Sequence, residues 1–298
     1  MNPLTRVCFA LGLAASLVLP AGAEPSLVNL STRAQVGTGE NILISGFVIG
    51  PGGSKTVLVR GIGPALTAYG VPGALGDPVL RLFQAGDPTT PFATNAAWSA
   101  GDAATFAAVG AFPLTPGSHD TALVRTLAPG IYSAQLASAG GGTGIASIEL
   151  YEVGAAPSRM VNLSTRALVG TGAGVMLPGF VIANGTGIRR LLVRAAGPAL
   201  AAYGVGGTLA DPTVTVTNAA NTVVYTSNDN WGTPAGPGAV DGPALAEACQ
   251  QVGAFPFPDN TSKDAAVLAD FPPGSYAIQV SGVGGTTGVA LVEVYELP

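Results

Sequence analysis

Apolar and polar residues alternate along most of this chain with a period of two, and the alternation comes in two nearly matching series. Thr56-Val57-Leu58-Val59-Arg60 and Arg190-Leu191-Leu192-Val193-Arg194 read as strands. So do Pro78-Val79-Leu80-Arg81-Leu82-Phe83 and Thr213-Val214-Thr215-Val216-Thr217, and so do Tyr132-Ser133-Ala134-Gln135-Leu136 and Tyr276-Ala277-Ile278-Gln279-Val280. Runs 145–151 and 289–295 close the two series. β-branched and aromatic residues fill these runs, and Gly, Pro, Asn and Asp separate them, as in short strands joined by tight turns. About eight strands per series are expected, which predicts an all-β fold of two tandem antiparallel β-sandwich, jelly-roll-like modules. Helix is confined to short turns. Pro64 and Pro198 suit a first helical position, with Gly70 and Gly204 as stops, and Asp102 and Asp241 suit the caps of second short helices.

The two series are copies of one unit. Val28-Asn29-Leu30-Ser31-Thr32-Arg33 returns as Val161-Asn162-Leu163-Ser164-Thr165-Arg166, and Gly46-Phe47-Val48-Ile49 as Gly179-Phe180-Val181-Ile182. Gly63-Pro64-Ala65-Leu66 returns as Gly197-Pro198-Ala199-Leu200, and Val109-Gly110-Ala111-Phe112-Pro113 as Val252-Gly253-Ala254-Phe255-Pro256. The units are expected at 24–153 and 160–298, joined by a linker at 154–159 that is too short for independent tumbling. The second copy carries an insertion, 232–242, rich in Gly and Pro.

Residues 1–23 predict a secretory signal peptide. Arg6 supplies the positive start, 7–19 is an apolar run, and Ala21-Gly22-Ala23 is an A-x-A cleavage pattern. The run is too short to span a bilayer, and no other segment has the length of a transmembrane helix. No anchor is expected at the other end, where Pro298 follows the last strand. The expected location is secreted: extracellular, cell surface or periplasm. Beyond residue 23, 11 basic residues face 17 acidic ones, a net charge of −6 with histidine neutral. That balance argues against nucleic acid and against anionic lipid as partners. Cys249 is the single cysteine outside the leader, so each unit depends on its hydrophobic core rather than on an internal disulfide. The thiol reads as a small buried apolar group, with pairing between chains as the alternative.

Catalytic groups are sparse. His119 is the only histidine, and Lys263 stands at its equivalent in the second copy. Ser118-His119-Asp120 has the letters of a triad, but neighbours on an extended strand point to opposite faces. Charged residues kept in both copies are Arg33/Arg166, Arg60/Arg194, Asp77/Asp211, Asp120/Asp264, Glu149/Glu293 and Glu152/Glu296. The expectation is structural ion pairs among Arg33, Arg60, Asp77, Asp120, Glu149, Arg166, Arg194, Asp211 and Glu293. A glycosidase-like carboxylate pair is the rival reading. Asn228, Asp229 and Asn230, with Asp264 approaching from a neighbouring loop, form a candidate calcium set in the second copy, since hard cations prefer oxygen donors. Trp98, Trp231, Tyr69 and Tyr203 recur in matching places and are candidate sugar-stacking residues, with core filling as the alternative. Gly61-Ile62-Gly63 is a weak phosphate-cradle signal, because the second copy has Ala195-Ala196-Gly197.

The series Asn-Leu-Ser-Thr-Arg, Val-Gly-Thr-Gly, Gly-Phe-Val-Ile, Gly-Pro-Ala-Leu and Val-Glu-Val-Tyr resembles a tandem repeat of exported proteins of environmental bacteria. The later part of each copy is similar to the bacterial pre-peptidase C-terminal module, through Asn228-Asp229-Asn230-Trp231, Asp264, Pro272-Pro273-Gly274-Ser275-Tyr276 and 288–295. That resemblance implies a β-sandwich, accessory attachment to polysaccharide or protein fibres, and in some members calcium. The expected function is therefore non-catalytic structural or adhesive work at the cell surface or in the extracellular matrix, with polysaccharide or a surface protein as partner. The alternative is a carbohydrate-binding protein, calcium-assisted in the second repeat.

Overall fold

The computed structural model describes residues 25–233 and 239–297. The expected leader at 1–23 and residues 234–238 of the insertion lie outside them. The chain is all-β and antiparallel, with eight strands in each repeat. In the first repeat these are β1 (Ser26–Val36), β2 (Leu43–Ile49), β3 (Lys55–Ile62), β4 (Pro78–Gln84), β5 (Ala93–Asn95), β6 (Thr121–Leu127), β7 (Gly130–Ser138) and β8 (Gly144–Val153). The second repeat gives β9 (Met160–Val169), β10 (Leu177–Ala183), β11 (Arg189–Ala196), β12 (Pro212–Asn218), β13 (Val224–Asn228), β14 (Ala265–Phe271), β15 (Gly274–Gly282) and β16 (Gly288–Glu296). The longer helical pieces are 3₁₀ turns at Pro64–Tyr69 and Pro198–Tyr203, and two short α-helices, α1 (Ala103–Ala108) and α2 (Gly242–Gln251); the other 3₁₀ turns span three residues each. Gly70 and Gly204 end the 3₁₀ turns in the left-handed conformation, at φ 74° and 76°.

The pairing crosses the repeat boundary. β1 pairs with β8 of its own repeat along one edge and with β10 of the other repeat along the second. By the same rule, β9 lies between β16 and β2. Two eight-stranded arrays result, β6-β3-β8-β1-β10-β15-β12-β13 and β14-β11-β16-β9-β2-β7-β4-β5. Each takes four strands from each repeat, and a single Gln35–Leu168 pair joins them. Exchanging β1 for β9, β2 for β10, and so on through the list maps the topology onto itself, so the two copies are related by a pseudo-twofold axis.

Alternation explains why these strands bury what they bury. In β1, Leu30, Thr32 and Ala34 turn inward, while Ser31, Arg33 and Gln35 turn outward. The inward sets of both arrays form one core that includes Leu30, Phe47, Leu163, Phe180, Val214 and Val292, drawn from both repeats. Phe180 of β10 meets Phe271 of β14 edge-on across the core at 5.5 Å, and Tyr276 stacks on Phe180 at 5.0 Å. β8 departs from strict alternation and is buried on both faces over eight residues. Its outer face is covered by the 3₁₀ turn at Pro64–Tyr69, by α1 and by the segment containing Phe112 and Leu114. A matching layer covers β16.

A small polar knot sits where the axis passes through the core. Thr32 and Thr165, equivalent residues of the two repeats, meet Oγ1 to Oγ1 at 2.9 Å. Thr165 Oγ1 also lies 3.0 Å from Ser45 Oγ. All three residues are buried. Thr165→Val removes the shared hydroxyl and strands two others in an apolar interior, a loss of about 1–3 kcal/mol. Urea unfolding checks this: the midpoint falls for Thr165→Val, and the Thr32→Val/Thr165→Val double variant loses less than the two single changes together. Strict additivity would mean that the hydroxyls do not interact.

Candidate functional site

Each repeat carries one clamp built on a buried arginine. Arg60 of β3 is fully buried and faces Glu149 of β8, Nε to Oε2 at 3.1 Å. Its guanidinium lies over the rings of Phe106 at 4.7 Å and Phe112 at 4.3 Å, and its Nη1 donates to Phe112 O at 2.7 Å. Tyr151 Oη donates to Glu149 Oε2 at 3.1 Å. In the second repeat Arg194 faces Glu293 at 3.3 Å, lies over Phe255 and Phe257 at 4.4 and 4.2 Å, and donates to Phe255 O. Tyr295 Oη donates to Glu293 Oε1 at 2.6 Å. A planar, delocalised cation suits a slot between two ring faces, which a lysine ammonium would not fill. Burial pushes both glutamate carboxyls up, while the arginine and the tyrosine hydroxyl pull each back. Burial likewise pushes the Tyr151 and Tyr295 hydroxyls up.

The clamp is kept although its parts move. Phe106, on α1, supplies one ring in the first repeat; its equivalent in the second is Cys249, on α2. There the ring comes instead from Phe257, which stands where the first repeat has Leu114. All four residues are buried. A large and a small side chain have exchanged places, and the guanidinium still has two rings. Cys249 is thus a small group that leaves room for Phe257, as its reading as a buried apolar residue anticipated, and burial pushes its thiol up.

Asp120 corrects the ion-pair expectation. It is fully buried, and its Oδ1 accepts from Gly63 N at 2.8 Å and Ala65 N at 3.2 Å, capping the 3₁₀ turn. Ser118 donates to its Oδ2. Asp264 repeats this on Gly197 N and Ala199 N, with Ser262 as the donor to Oδ2. Backbone amides neutralise these carboxylates in place of arginine. They also fill the position an anion would take at Gly61-Ile62-Gly63. Gly63 and Gly197 are required there, since a Cβ would collide with Leu75 O or Leu209 O. His119 lies exposed beside this cap, whose carboxylate turns toward the amides.

The remaining expected pairs divide. Asp77 takes hydrogen bonds from Ser138 and Gly140 rather than from an arginine, and these hold its carboxyl below the usual range. Asp211 lies 3.9 Å from Lys263 at the surface, a contact too exposed to contribute much. Arg166 donates to Glu40 O. Arg33 lies opposite Ser147 on the outer face of the β1–β8 pair. Glu152 and Glu296, repeated in the sequence but given no role there, tie the repeats together. Glu152 accepts from Met160 N at 2.6 Å and pairs with buried Lys55 at 2.9 Å. Glu296 accepts from Leu27 N at 2.6 Å and pairs with Arg159 at 3.3 Å.

The calcium set is not assembled. Asn228 is buried, and its Oδ1 accepts from Ala266 N while its Nδ2 donates to Asn230 O. That first contact bridges β13 and β14, at the edges of opposite arrays, just as Asn95 Oδ1 bridges β5 to β6 through Ala122 N. Asp264 is committed to its cap, and Asp229 is exposed. No group of three or more His, Cys, Asp or Glu suited to a metal occurs among the described residues. These donors do not fit a calcium ion.

The aromatic candidates separate into two kinds. Trp98 packs on Phe106 at 5.7 Å and its indole N–H donates to Ser118 Oγ and Thr115 O. Trp231 packs on Phe257 at 5.4 Å and donates to Asp259 O. Both are half-buried walls of the clamp layer, packed as the core-filling alternative has them. Tyr69 and Tyr203 are 38% and 61% exposed, each set edge-on against Phe112 or Phe255 at about 5 Å. Each ring thereby stands on the clamp, through the phenylalanine that also covers the guanidinium.

Beside the clamp layers, the outer faces of the central strands stay open as two related grooves. One, about 80 Å³, is lined by Asn29, Ser31, Arg33, Ser147, Val181 and Ser275. The other, about 480 Å³, is lined by Val48, Asn162, Ser164, Val252, Glu293 and Tyr295. Both straddle the junction of the repeats. Gly46 and Gly179 open them: a Cβ at Gly46 would lie 2.6 Å from Ser164 Oγ, and one at Gly179 would lie 3.3 Å from Ser31 Oγ.

No protein-family model matches the chain. No curated protein matches it either. Among solved structures, a DUF4785 family protein from Legionella pneumophila is similar over 94% of this chain and 81% of its own, at 10% identity and a TM-score of 0.21. A likeness of that size carries no argument.

Arg60→Leu leaves Glu149 without its cationic partner in an apolar layer, so that it must bear an uncompensated charge or take up a proton, which costs about 3–5 kcal/mol. Arg60→Lys recovers little of it, because the ammonium cannot lie flat between Phe106 and Phe112. Chemical denaturation of the three proteins checks this. A lysine variant as stable as the parent would show that charge alone, not the planar fork, matters here.

Proposed function

We propose that this chain is a secreted, non-catalytic structural or adhesive protein of the cell surface or extracellular matrix. The observation that carries the reading is the fate of its repeated acids. Glu149 and Glu293, 2% and 5% exposed, are held by arginine and tyrosine on the floors of the two grooves, and Asp120 and Asp264 are sealed with backbone amides. An acid–base site needs a carboxyl free to exchange a proton with substrate; Asp120 and Asp264 face inward, and Glu149 and Glu293, which line the two grooves, are committed to their arginine and tyrosine partners. The A-x-A pattern at 21–23 supports export. A tightly tied two-repeat body with related outer faces suits a building or attachment role.

A second reading is carbohydrate binding, and the exposure of Tyr69 and Tyr203 favours it. Two exposed rings at equivalent points, each braced from below, offer flat faces for sugar stacking, one per repeat. A pull-down of residues 24–298 against insoluble polysaccharides and cell envelopes separates the readings. Retention on envelopes that survives Tyr69→Ala/Tyr203→Ala supports attachment through another surface. Retention on one polysaccharide that falls at least tenfold in that variant moves carbohydrate binding ahead. No retention on either material would remove both.

A further inference from the structure

We propose that this chain exchanges whole repeats with a second copy of itself, so that the first repeat of one molecule pairs with the second repeat of another. The contact that holds the two repeats of one molecule together consists of matching edges, β1 on β10 and β9 on β2, related by the pseudo-twofold axis. Nothing in those edges distinguishes a repeat of the same chain from a repeat of another. The outer ends of the arrays offer no comparable opening. Asn95 Oδ1 and Trp98 N close β5 onto β6, through Ala122 N and Asp120 O. Asn228 Oδ1 and Trp231 N close β13 onto β14, through Ala266 N and Asp264 O. The repeat junction is therefore where a strand partner is accepted, and the partner it fits is this same chain.

The hinge for the exchange is the segment 154–159. It is short and tied at both ends: Lys55 Nζ donates to Gly154 O at 2.9 Å, and Gly50 N donates to Arg159 O at 2.9 Å. In an exchanged dimer every strand pair, both clamps and the Thr32–Thr165 contact are retained, and only contacts of this segment change. The balance between closed monomer and exchanged dimer then depends on chain concentration against the effective concentration of one repeat at the other. For a short tether that is on the order of millimolar. Short hinges that cannot relax favour exchange over closure.

Refolding tests this. The full chain, unfolded in guanidinium, is refolded at about 1 µM and at about 1 mM, concentrations far below and comparable to the effective value. Size-exclusion chromatography with light scattering then reads the mass. The dimer share is expected to rise at least tenfold between the two. Deleting 155–157 is expected to shift the low-concentration product to dimer as well. Thr32→Cys/Thr165→Cys in a Cys8→Ala/Cys249→Ala background identifies the contact. Once oxidised, the dimer is expected to stay covalently linked on a denaturing non-reducing gel, and the monomer to carry its cross-link within one chain. A refolded product that is monomeric at both concentrations, with and without the deletion, would overturn the proposal. So would a dimer whose cross-links all lie within single chains.

Discussion

The structure depends on two strands that cannot be satisfied within their own repeats. An extended segment presents amide and carbonyl groups along both edges, and burial without partners is costly for each of them. β1 finds one set of partners in β8 and the other in β10; β9 finds them in β16 and β2. Everything central follows from that arrangement. The core is one body because the inward residues of exchanged strands face each other. Glu152 and Glu296 reach the first residues of the following and preceding repeats because those strands end beside them. The open grooves lie where the two repeats meet because the covering layers belong to each repeat separately.

Charge plays a supporting part in this fold, and its placement shows what is being held. The arginine clamps pin a covering layer of helical turns and loops to β3 and β11, and the capping aspartates fix the 3₁₀ turns of the same layer. The second repeat shows how strongly the clamp is required. Its helix offers a cysteine where the first offers a phenylalanine, and the missing ring arrives from the next loop. Each clamp thus joins a stack that runs from a half-buried tryptophan to an exposed tyrosine. The outermost ring, Tyr69 or Tyr203, owes its position to residues that never reach solvent.

Much of this was legible in the chain. Period-two alternation gave the strands, and proline and glycine at fixed places gave the 3₁₀ turns at Pro64–Tyr69 and Pro198–Tyr203. That Arg60, Arg194, Glu149 and Glu293 take part in structural ion pairs followed from their joint repetition, whereas which arginine meets which acid did not. Strand exchange was not legible, because β1 carries the same alternation whichever strand lies beside it; a sequence pattern fixes the face of a strand, not its neighbour. The role of Asp120 and Asp264 was missed for a related reason. Their partners are backbone amides, which every residue has and no composition reveals. Asn228 looked like a calcium ligand because its neighbours carry oxygens, whereas its own oxygen closes the end of the sandwich. Trp98 and Trp231 were open to two readings, sugar stacking or core filling, because the sequence does not show that each packs on a phenylalanine, Phe106 or Phe257.

The central claim is that the two repeats form one cooperative body through exchanged strands, and differential scanning calorimetry tests it most directly. At roughly 0.7 kcal/mol per residue, the described residues of both repeats together correspond to an unfolding enthalpy of about 190 kcal/mol. The account predicts a single transition in which the van't Hoff and calorimetric enthalpies agree near that value, and in which Phe271→Ala, a change confined to the second repeat, moves the whole transition down. Two resolved transitions, or a van't Hoff enthalpy about half the calorimetric one with only half of the heat shifted by Phe271→Ala, would show that the repeats unfold separately and would contradict it.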